Sequence, residues 1–212
     1  MRILVALLVI SVIPLACGAR APIGAGPSAT AAPTASLAPT PSPSADPEPA
    51  VRARATAAVT ALRDKDFAAL AALAHPVKGV RFTPYTFVQA RDVVLDAATI
   101  RQWFTSTRTY TWGFTDGRGD AIDTNLEGYY KRYVYNKDYS KASPVLVDNY
   151  PPNRGNKNDN TKAMYPAGRT VEYYLPSTDP NTTLDWAGLR LVFEELSGTW
   201  YLVGIIHDEW TI

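Results

Sequence analysis

Cysteine and histidine are scarce in this chain, and its charge is nearly balanced. The 212 residues include one cysteine and two histidines, and the formal net charge is +1. The single thiol, Cys17, excludes an internal disulfide framework and a zinc site built on several thiolates. The balanced charge argues against the basic surface that nucleic-acid binding requires. We therefore expect no metal, no cofactor and no nucleic-acid partner.

Common catalytic motifs are also missing. The sequence has no Gly-x-Ser-x-Gly turn and no glycine-rich phosphate loop after a strand. Asp116 to Glu127 has part of the spacing of a calcium loop, but Arg118 places a cation at a ligand position and Ala121 replaces the glycine that such loops need. A turn that leads into a capped helix explains the same residues better. These absences weaken an enzymatic interpretation.

The first 17 residues have the features of an export signal. A positive charge at Arg2 precedes an apolar run over Ile3–Ile13, and a lone cysteine follows at Cys17. The run is too short to span a bilayer as a helix. A small residue directly before the cysteine resembles the lipobox at which bacterial lipoproteins are cut and acylated. Residues 1–17 are therefore predicted to be a signal peptide, with lipidation at Cys17 anchoring the protein in the bacterial cell envelope.

The lipobox resemblance is incomplete, which leaves one alternative open. Pro14 and Leu15 stand where that motif usually has leucine and then a small residue. An ordinary secreted protein, cut after Ala19 or Ala21, is the competing interpretation. In both cases the domain that follows is predicted to be extracytoplasmic.

Residues 18–50 are predicted to be a disordered tether rich in Ala, Pro, Ser and Thr. Eight of the 17 prolines of the chain fall in this segment, which has no aromatic residue. Such a composition cannot form an apolar core. Apolar periodicity begins near Val51, so we place one folded domain at residues 51–212.

Helices come first in this domain and strands dominate its end. The helices are predicted at Val51–Leu62, after the N-caps Asp66 and Asp96, and after a capping box at Thr124–Glu127, where Gly128 and dense tyrosines leave a strand possible. The strands are predicted at Val80–Tyr85, Arg91–Leu95, Tyr110–Phe114, Val145–Val147 and Thr170–Leu175, and in a hairpin of Leu189–Leu196 with Trp200–Ile206. This order, without regular alternation of strand and helix, indicates an α+β fold with N-terminal helices on an antiparallel sheet.

Three segments carry a resemblance to a known fold. Residues 62–70, 189–195 and 198–204 resemble the nuclear transport factor 2-like (cystatin-like) superfamily. The resemblance implies helices lying across a strongly curved antiparallel sheet, which together enclose a cone-shaped pocket. More narrowly, residues 75–85, 110–113 and 207–212 resemble a group of bacterial envelope lipoproteins without an assigned activity. That second resemblance implies a location and no chemistry.

Arginine and tyrosine in an apolar stretch are the first candidates for ligand contacts. Arg81 could bind a carboxylate ligand through its fork of donors, or pair internally with Glu172 or Glu194, and we favour the internal pair. Tyr85 lies in the same stretch. Trp112 is a candidate stacking platform, although aromatic side chains in strands more often belong to the core.

Two titratable residues are candidates for acid–base chemistry. Glu194 could have a raised pKa inside an apolar cone, as the isomerases and dehydratases of the superfamily imply. His207 shares a strand face with Ile205 and Glu209, and a structural role for this histidine is favoured.

These observations leave two classes of function open. The favoured one is a lipid-anchored binding or envelope-assembly module for a small anionic ligand, a glycan or an envelope protein. The alternative is a small pocket enzyme, a lyase, isomerase or hydrolase, that uses Glu194 or His207 as a base while Arg81 or Tyr85 binds an anionic group.

Overall fold

The computed structural model describes residues 46–151, 158–179, 181 and 183–211. The predicted signal peptide, Cys17 and residues 18–45 of the predicted tether lie outside the described residues. Residues 44–212 group into one compact unit.

Two helices open the domain. Helix α1 spans Glu48–Asp64, so Glu48–Ala50, which we assigned to the tether, belong to the helix instead. The apolar side chains of α1 recur at helical spacing and face inward. Lys65 ends the helix in the left-handed conformation, with φ of 56°. Helix α2 spans Phe67–Leu73, and the predicted N-cap Asp66 accepts a hydrogen bond from the amide of Ala69 at 2.9 Å.

A six-stranded sheet carries the fold. Its strands are β1 (Val80–Thr83), β2 (Val94–Leu95), β5 (Val145–Val147), β6 (Arg169–Leu175), β7 (Ala187–Leu196) and β8 (Thr199–Glu209), in the order β2-β1-β8-β7-β6-β5. All neighbouring strands are antiparallel except β1 and β8, which are parallel. The sheet is therefore mixed, and the prediction of a wholly antiparallel sheet is corrected at this one pair.

The C-terminal hairpin of β7 and β8 forms as predicted. Ser197 and Gly198 make a two-residue turn with φ of 52° and 79°, the positive values that tight hairpin turns require. Phe193 lies opposite Leu202. The register shifts between Val192 and Phe193, and such a bulge bends and twists a strand pair.

A smaller layer packs beside the sheet. It consists of α3 (Ala97–Arg101), a two-stranded sheet of β3 (Thr109–Phe114) and β4 (Ala121–Asn125), and α4 (Leu126–Tyr129), which continues as a π-helical turn at Tyr130–Val134. Asp96 caps α3 as predicted. The cap of α4 is Asn125, one residue after the predicted Thr124. Because residues 121–125 form a strand, the calcium-loop geometry is absent from this described stretch.

Aromatic side chains fill the space between the helices and the sheet. We call this group the aromatic cluster; its members are Phe67, Phe82, Trp103, Trp112, Tyr129, Tyr130 and Tyr133. Trp112 stacks on Tyr129 with ring centroids 3.7 Å apart, and Phe67 stacks on Trp103 at 4.8 Å. The side chains on one face of α4 and its π-helical turn are all buried: Leu126, Tyr129, Tyr130, Tyr133 and Val134.

The opposite face of the sheet is also covered. Tyr165, which follows the short helix α5 (Thr161–Met164), packs there with Val88, Val192 and Ile206. The architecture is thus an α+β fold with N-terminal helices on a curved, cone-like sheet that ends in a hairpin, as predicted. Among the described residues, no helix has the length and apolar character to cross a bilayer.

Candidate functional site

The sequence-predicted site residues are divided between the two faces of the sheet. Phe82 of β1 pairs with Ile205 of β8, and both face the helices. Because strand side chains alternate, His207 faces the helices as well, whereas Arg81 faces the other side. Glu194 shares that other side with Arg81, because it lies two residues beyond Val192 on β7. Arg81 and Glu194 therefore do not converge with His207 on one cavity.

Arg81 acts as a structural clamp. Its Nη1 atom donates to the carbonyl oxygens of Gln89, Ala90 and Asp92 at 3.0, 3.0 and 3.1 Å. The guanidinium thereby holds the chain that connects β1 to β2. The favoured prediction of an ion pair with Glu172 or Glu194 is wrong, because each of these carboxylates pairs with another cation.

Glu194 and Glu172 have separate partners. Glu194, 8% exposed, forms an ion pair with Lys78, whose side chain lies largely in solvent. Glu172 is fully buried and accepts a hydrogen bond from Nε of Arg190 at 2.8 Å. Neither glutamate faces the aromatic cluster, so neither lies in the apolar cone interior that the acid–base hypothesis required.

Tyr85 and His207 share one neighbour, Tyr133, on the helix-facing side. Both contact the ring of Tyr133 edge-on, at centroid distances of 6.0 and 5.6 Å. Nδ1 of His207 lies 3.2 Å from the carbonyl oxygen of Pro84, and its Nε2 lies 3.6 Å from Oε2 of Glu209. The imidazole is buried and has polar groups at both ring nitrogens, which supports the structural role favoured from sequence.

Trp112 is a core residue and cannot serve as a ligand platform in this conformation. Its side chain is fully buried, and Nε1 donates to the carbonyl oxygen of Thr124 at 2.9 Å. Tyr129 covers one face of the indole. The prediction that Trp112 contacts a ligand is therefore corrected.

A buried ionic network spans β6 and β7. Arg190 is 1% exposed and donates to Glu172, to Asp159 at 2.6 Å and to the hydroxyl of Thr161 at 2.7 Å. The guanidinium also lies over the ring of Tyr150, 4.1 Å from its centroid. This network fastens the segment before α5 to the sheet.

One buried carboxyl has a raised pKa. Asp92 is 5% exposed, and burial raises its pKa above the ordinary value, although hydrogen bonds from the Gln89 amide and the Thr83 hydroxyl oppose the shift. It lies beside the connection that Arg81 holds. The Gln89 amide and the Thr83 hydroxyl that donate to Asp92 lie in or beside that connection, which indicates that Asp92 helps to shape it.

A cavity of about 390 Å³ lies along the flank of α1, over β5 and β6; we call it the α1 cavity. Charged and hydroxyl side chains line one part of it and valines line the rest. Its lining residues are Arg52, Thr56, Val59, Thr60, Arg63, Ser140, Val145, Val171 and Tyr173. This mixture of apolar wall and convergent polar groups is typical of sites for small molecules.

Each arginine that lines the α1 cavity forms an ion pair with an exposed carboxylate. Arg52 pairs with Glu48 through Nε at 2.8 Å, and Arg63 pairs with Asp64 at 2.7 Å. Burial raises the pKa of Tyr173, while the Thr56 hydroxyl and the charge of Arg52 oppose that increase. The phenol therefore lies within the electrostatic reach of Arg52.

Sequence reasoning missed both the Arg190 network and the α1 cavity. The first had a signal, because Arg190 and Glu172 stand in the middle of apolar strands. The second had a weaker one: Arg52, Thr56 and Arg63 follow helical spacing beside the apolar stripe of α1. No cluster of three or more histidine, cysteine, aspartate or glutamate residues suited to a metal occurs in the part of the chain that the structure describes.

Comparison with known proteins gives fold-level similarity alone. No protein-family model matches the sequence, and no curated protein is significantly similar to it. A designed nuclear transport factor 2-like protein with five substitutions is similar at 12% identity and a TM-score of 0.33, covering 77% of this chain and 100% of its own. A structure described as a calcium/calmodulin-dependent protein kinase II association domain from Xanthomonas campestris is similar at 14% identity and a TM-score of 0.34, covering 75% of this chain and 84% of its own. At these values the similarity carries no argument about function.

Proposed function

We propose that this chain is an extracytoplasmic, lipid-anchored binding module of the bacterial cell envelope. The observation that carries the proposal is the packed interior. Trp103, Trp112 and Tyr129 are each at most 1% exposed, and they fill the space in which a cone-shaped fold would otherwise hold a substrate. Because aromatic side chains fill the described interior, the domain is suited to binding at its surface cavities.

The positions and contacts of the candidate acid–base groups support a binding function over a catalytic one. His207 and Glu194 lie on opposite faces of the sheet, and each is engaged by groups of the fold. Arg81 donates to three backbone carbonyls. A general base must reach its substrate within hydrogen-bond distance. The alternative of a lyase, isomerase or hydrolase built on these residues therefore lacks a shared site within the described chain.

The anchoring part of the proposal comes from the sequence. Residues 1–17 have the order of charge, apolar run and cysteine that precedes lipidation, and residues 18–47 have a composition suited to a spacer. Acyl chains contribute about 0.8 kcal/mol per buried methylene, so more than one chain gives durable anchoring. The resemblance to bacterial envelope lipoproteins agrees with this location.

Mass spectrometry of the mature N-terminus tests the anchor. The full chain is expressed in a bacterium with a lipoprotein-processing pathway and extracted from its membranes. We expect a mature chain that begins at Cys17 and carries acyl groups on that residue. An unmodified chain that begins at Arg20 or Pro22 would mean export without an anchor, and an intact Met1 would contradict export itself.

A further inference from the structure

Three large aromatic side chains are exposed at one end of the fold. Phe87, Phe114 and Trp210 have exposed fractions of 44%, 40% and 41%. They belong to the connection after β1, to the end of β3 and to the residue after β8, and we call them the aromatic rim. Exposed apolar rings that are grouped on one surface are typical of sites at which a protein contacts a partner or a membrane.

The strand arrangement brings the first two rings together. Because β1 and β8 are parallel, their carboxyl ends lie at the same edge of the sheet. The guanidinium carbon of Arg91 lies 4.7 Å from the ring centroid of Phe114. Phe87 precedes Arg91 by four residues, so their backbones are at most about 14 Å apart. Phe87 and Phe114 therefore occupy the same region of the surface.

A hydrogen bond connects the third ring to this region. The hydroxyl of Thr211 donates to the carboxylate of Asp116 at 2.5 Å. Trp210 is the residue before Thr211, and Asp116 follows Phe114 by two positions. The three rings thus come from three separate segments that meet at one end of the fold.

The charged groups around the rim are balanced and paired. Arg118 lies 3.0 Å from Asp120, and Arg132 forms an ion pair with Glu209. Asp116 is engaged by the C-terminal hydroxyl described above. A polyanion needs an excess of cations, and the hydroxyls of a glycan need available polar partners. The rim therefore provides apolar surface without excess charge.

We propose that the aromatic rim docks on the surface of the lipid bilayer in which the chain is anchored. The proposal rests on the proposed membrane location and adds an orientation of the domain. The interface of a bilayer takes up aromatic rings, and binding strengthens with the apolar area that is buried. Two of the three rings are phenylalanines, which have no polar group for a glycan or a polar protein surface. A bilayer interface is the partner that this composition fits best.

The predicted spacer is long enough for this contact. Arg54 of α1 donates to the carbonyl oxygen of Trp200 at 2.8 Å, so this part of α1 lies toward the end of β8 opposite the rim. The 11 residues of β8 span about 36 Å. Residues 18–47 reach up to about 90 Å when extended. A lipid at Cys17 can therefore hold the domain near the bilayer while the rim faces it.

A chain coupled to vesicles tests the contact without relying on lipidation in cells. Cys17 is the only cysteine, so a chain of residues 17–212 is coupled through its thiol to a maleimide-bearing lipid in phosphatidylcholine vesicles. Coupling keeps the domain at a concentration of about millimolar near the bilayer, at which weak docking is populated. The signal is the quenching of tryptophan emission by phosphatidylcholine that carries bromine on its acyl chains.

Trp210 is the reporter of docking. We expect brominated lipid to quench the emission of the coupled chain, and this quenching to disappear in Trp210→Phe, which keeps a ring but removes the indole. Trp103, Trp112 and Trp186 are each at most 5% exposed, and Trp200 lies at the far end of β8. Replacing about a third of the lipid by phosphatidylglycerol should change the quenching by less than about twofold, because the charges at the rim balance.

Matched variants locate the contact. Phe87→Ala and Phe114→Ala together should reduce the quenching of Trp210 by at least about half, because they remove apolar area from the contact. Leu196→Ala removes a side chain that is 37% exposed at the opposite end of the hairpin, and it should leave the quenching unchanged. All of these side chains are exposed, so circular dichroism of every variant should match that of the parent.

Three results would overturn the proposal. The first is equal quenching in the parent and in Trp210→Phe, which would leave the rim to a protein or glycan partner. The second is an equal effect of Leu196→Ala and of the Phe87 and Phe114 substitutions. The third is quenching that occurs only with phosphatidylglycerol, since that would mean a contact driven by charge. The coupled chain does not depend on cellular processing, so failure of docking is distinguishable from failure of the proposed anchor at Cys17.

Discussion

At the scale of single residues, burial decides the role of Trp112. The indole is fully enclosed and stacked on Tyr129. Trp112→Ala should lower the free energy of unfolding by about 3–5 kcal/mol, because it removes a large buried ring and leaves a cavity. Urea unfolding followed by circular dichroism measures this change.

Trp210 provides the matched control for that prediction. Its side chain is 41% exposed. Trp210→Ala should change the free energy of unfolding by less than about 0.5–1 kcal/mol, as surface substitutions generally do. A Trp112→Ala variant as stable as Trp210→Ala would show that the aromatic cluster does not form the core described here.

Asp92 gives the domain a pH-dependent weakness. Burial raises its folded pKa above the ordinary 3.8. The protonated form is therefore favoured by folding, and the stabilisation that it provides is fully present below the unfolded pKa and is lost as pH rises through the higher folded pKa. Asp92→Asn keeps an oxygen acceptor for the Thr83 hydroxyl and the Gln89 amide and carries no charge.

The test of Asp92 compares two stability profiles. Urea unfolding of the parent and of Asp92→Asn is measured from below pH 4 upward. We expect the variant to gain stability relative to the parent as pH rises through the titration of Asp92, and the difference to become constant above it. A difference that is constant at all pH values, or one of opposite sign, would contradict burial as the dominant influence on this carboxyl.

Strand periodicity predicted which face a residue occupies but not its partner. His207 and Glu209 share a face and lie 3.6 Å apart, as the alternation indicates. Arg81 was assigned to a glutamate because an arginine in an apolar stretch needs a partner. The partners are three carbonyls of the 89–92 connection, whose path no local pattern specifies.

At the scale of elements, local sequence signals predicted the helix caps and the hairpin turn, but they did not predict how distant strands pair. Asp66 and Asp96 cap their helices as predicted, and the hairpin turn is where Ser197 and Gly198 place it. The parallel pairing of β1 with β8 joins residues more than 120 positions apart. The α1 cavity likewise depends on how α1 lies over β5 and β6, which α1's own sequence does not specify.

The packing of β6 against β7 around Gly188 gives an element-scale prediction. A Cβ atom at Gly188 would lie 2.5 Å from Oε1 of Glu172, which is held by Arg190. Gly188→Ala should therefore lower the free energy of unfolding by about 1–3 kcal/mol through overpacking and displacement of the ion pair. Thermal or urea unfolding measures the loss.

A double-mutant cycle identifies the cause of that loss. In a Glu172→Ala background the steric conflict is absent, so Gly188→Ala should cost less there than in the parent. The expected coupling energy is about 1 kcal/mol or more. Equal costs in the two backgrounds would show that Gly188 is needed for a reason other than the Glu172 carboxylate.

At the scale of the whole molecule, the proposed function combines a packed domain with a predicted tether. The domain has surface cavities and a filled interior, while residues 1–47 have the composition of an export signal and a spacer. Composition predicts the tether, and the order of helices and strands predicted the α+β fold class, which the structure confirms. Neither pattern predicted the α1 cavity, because it is built from residues that are ordinary surface side chains in the sequence.

Subcellular fractionation of the full chain and its Cys17→Ser variant tests the central claim most directly. Cells expressing each chain are separated into cytoplasm, membranes and the extracytoplasmic fraction with medium, and intact cells or spheroplasts are treated with protease. We predict that the parent domain is membrane-bound and protease-accessible, and that blocking lipidation by Cys17→Ser removes it from mature, lipid-anchored material. A parent chain found in the cytoplasm, or one that gives the same mature, membrane-bound product with and without Cys17, would contradict a lipid-anchored envelope module.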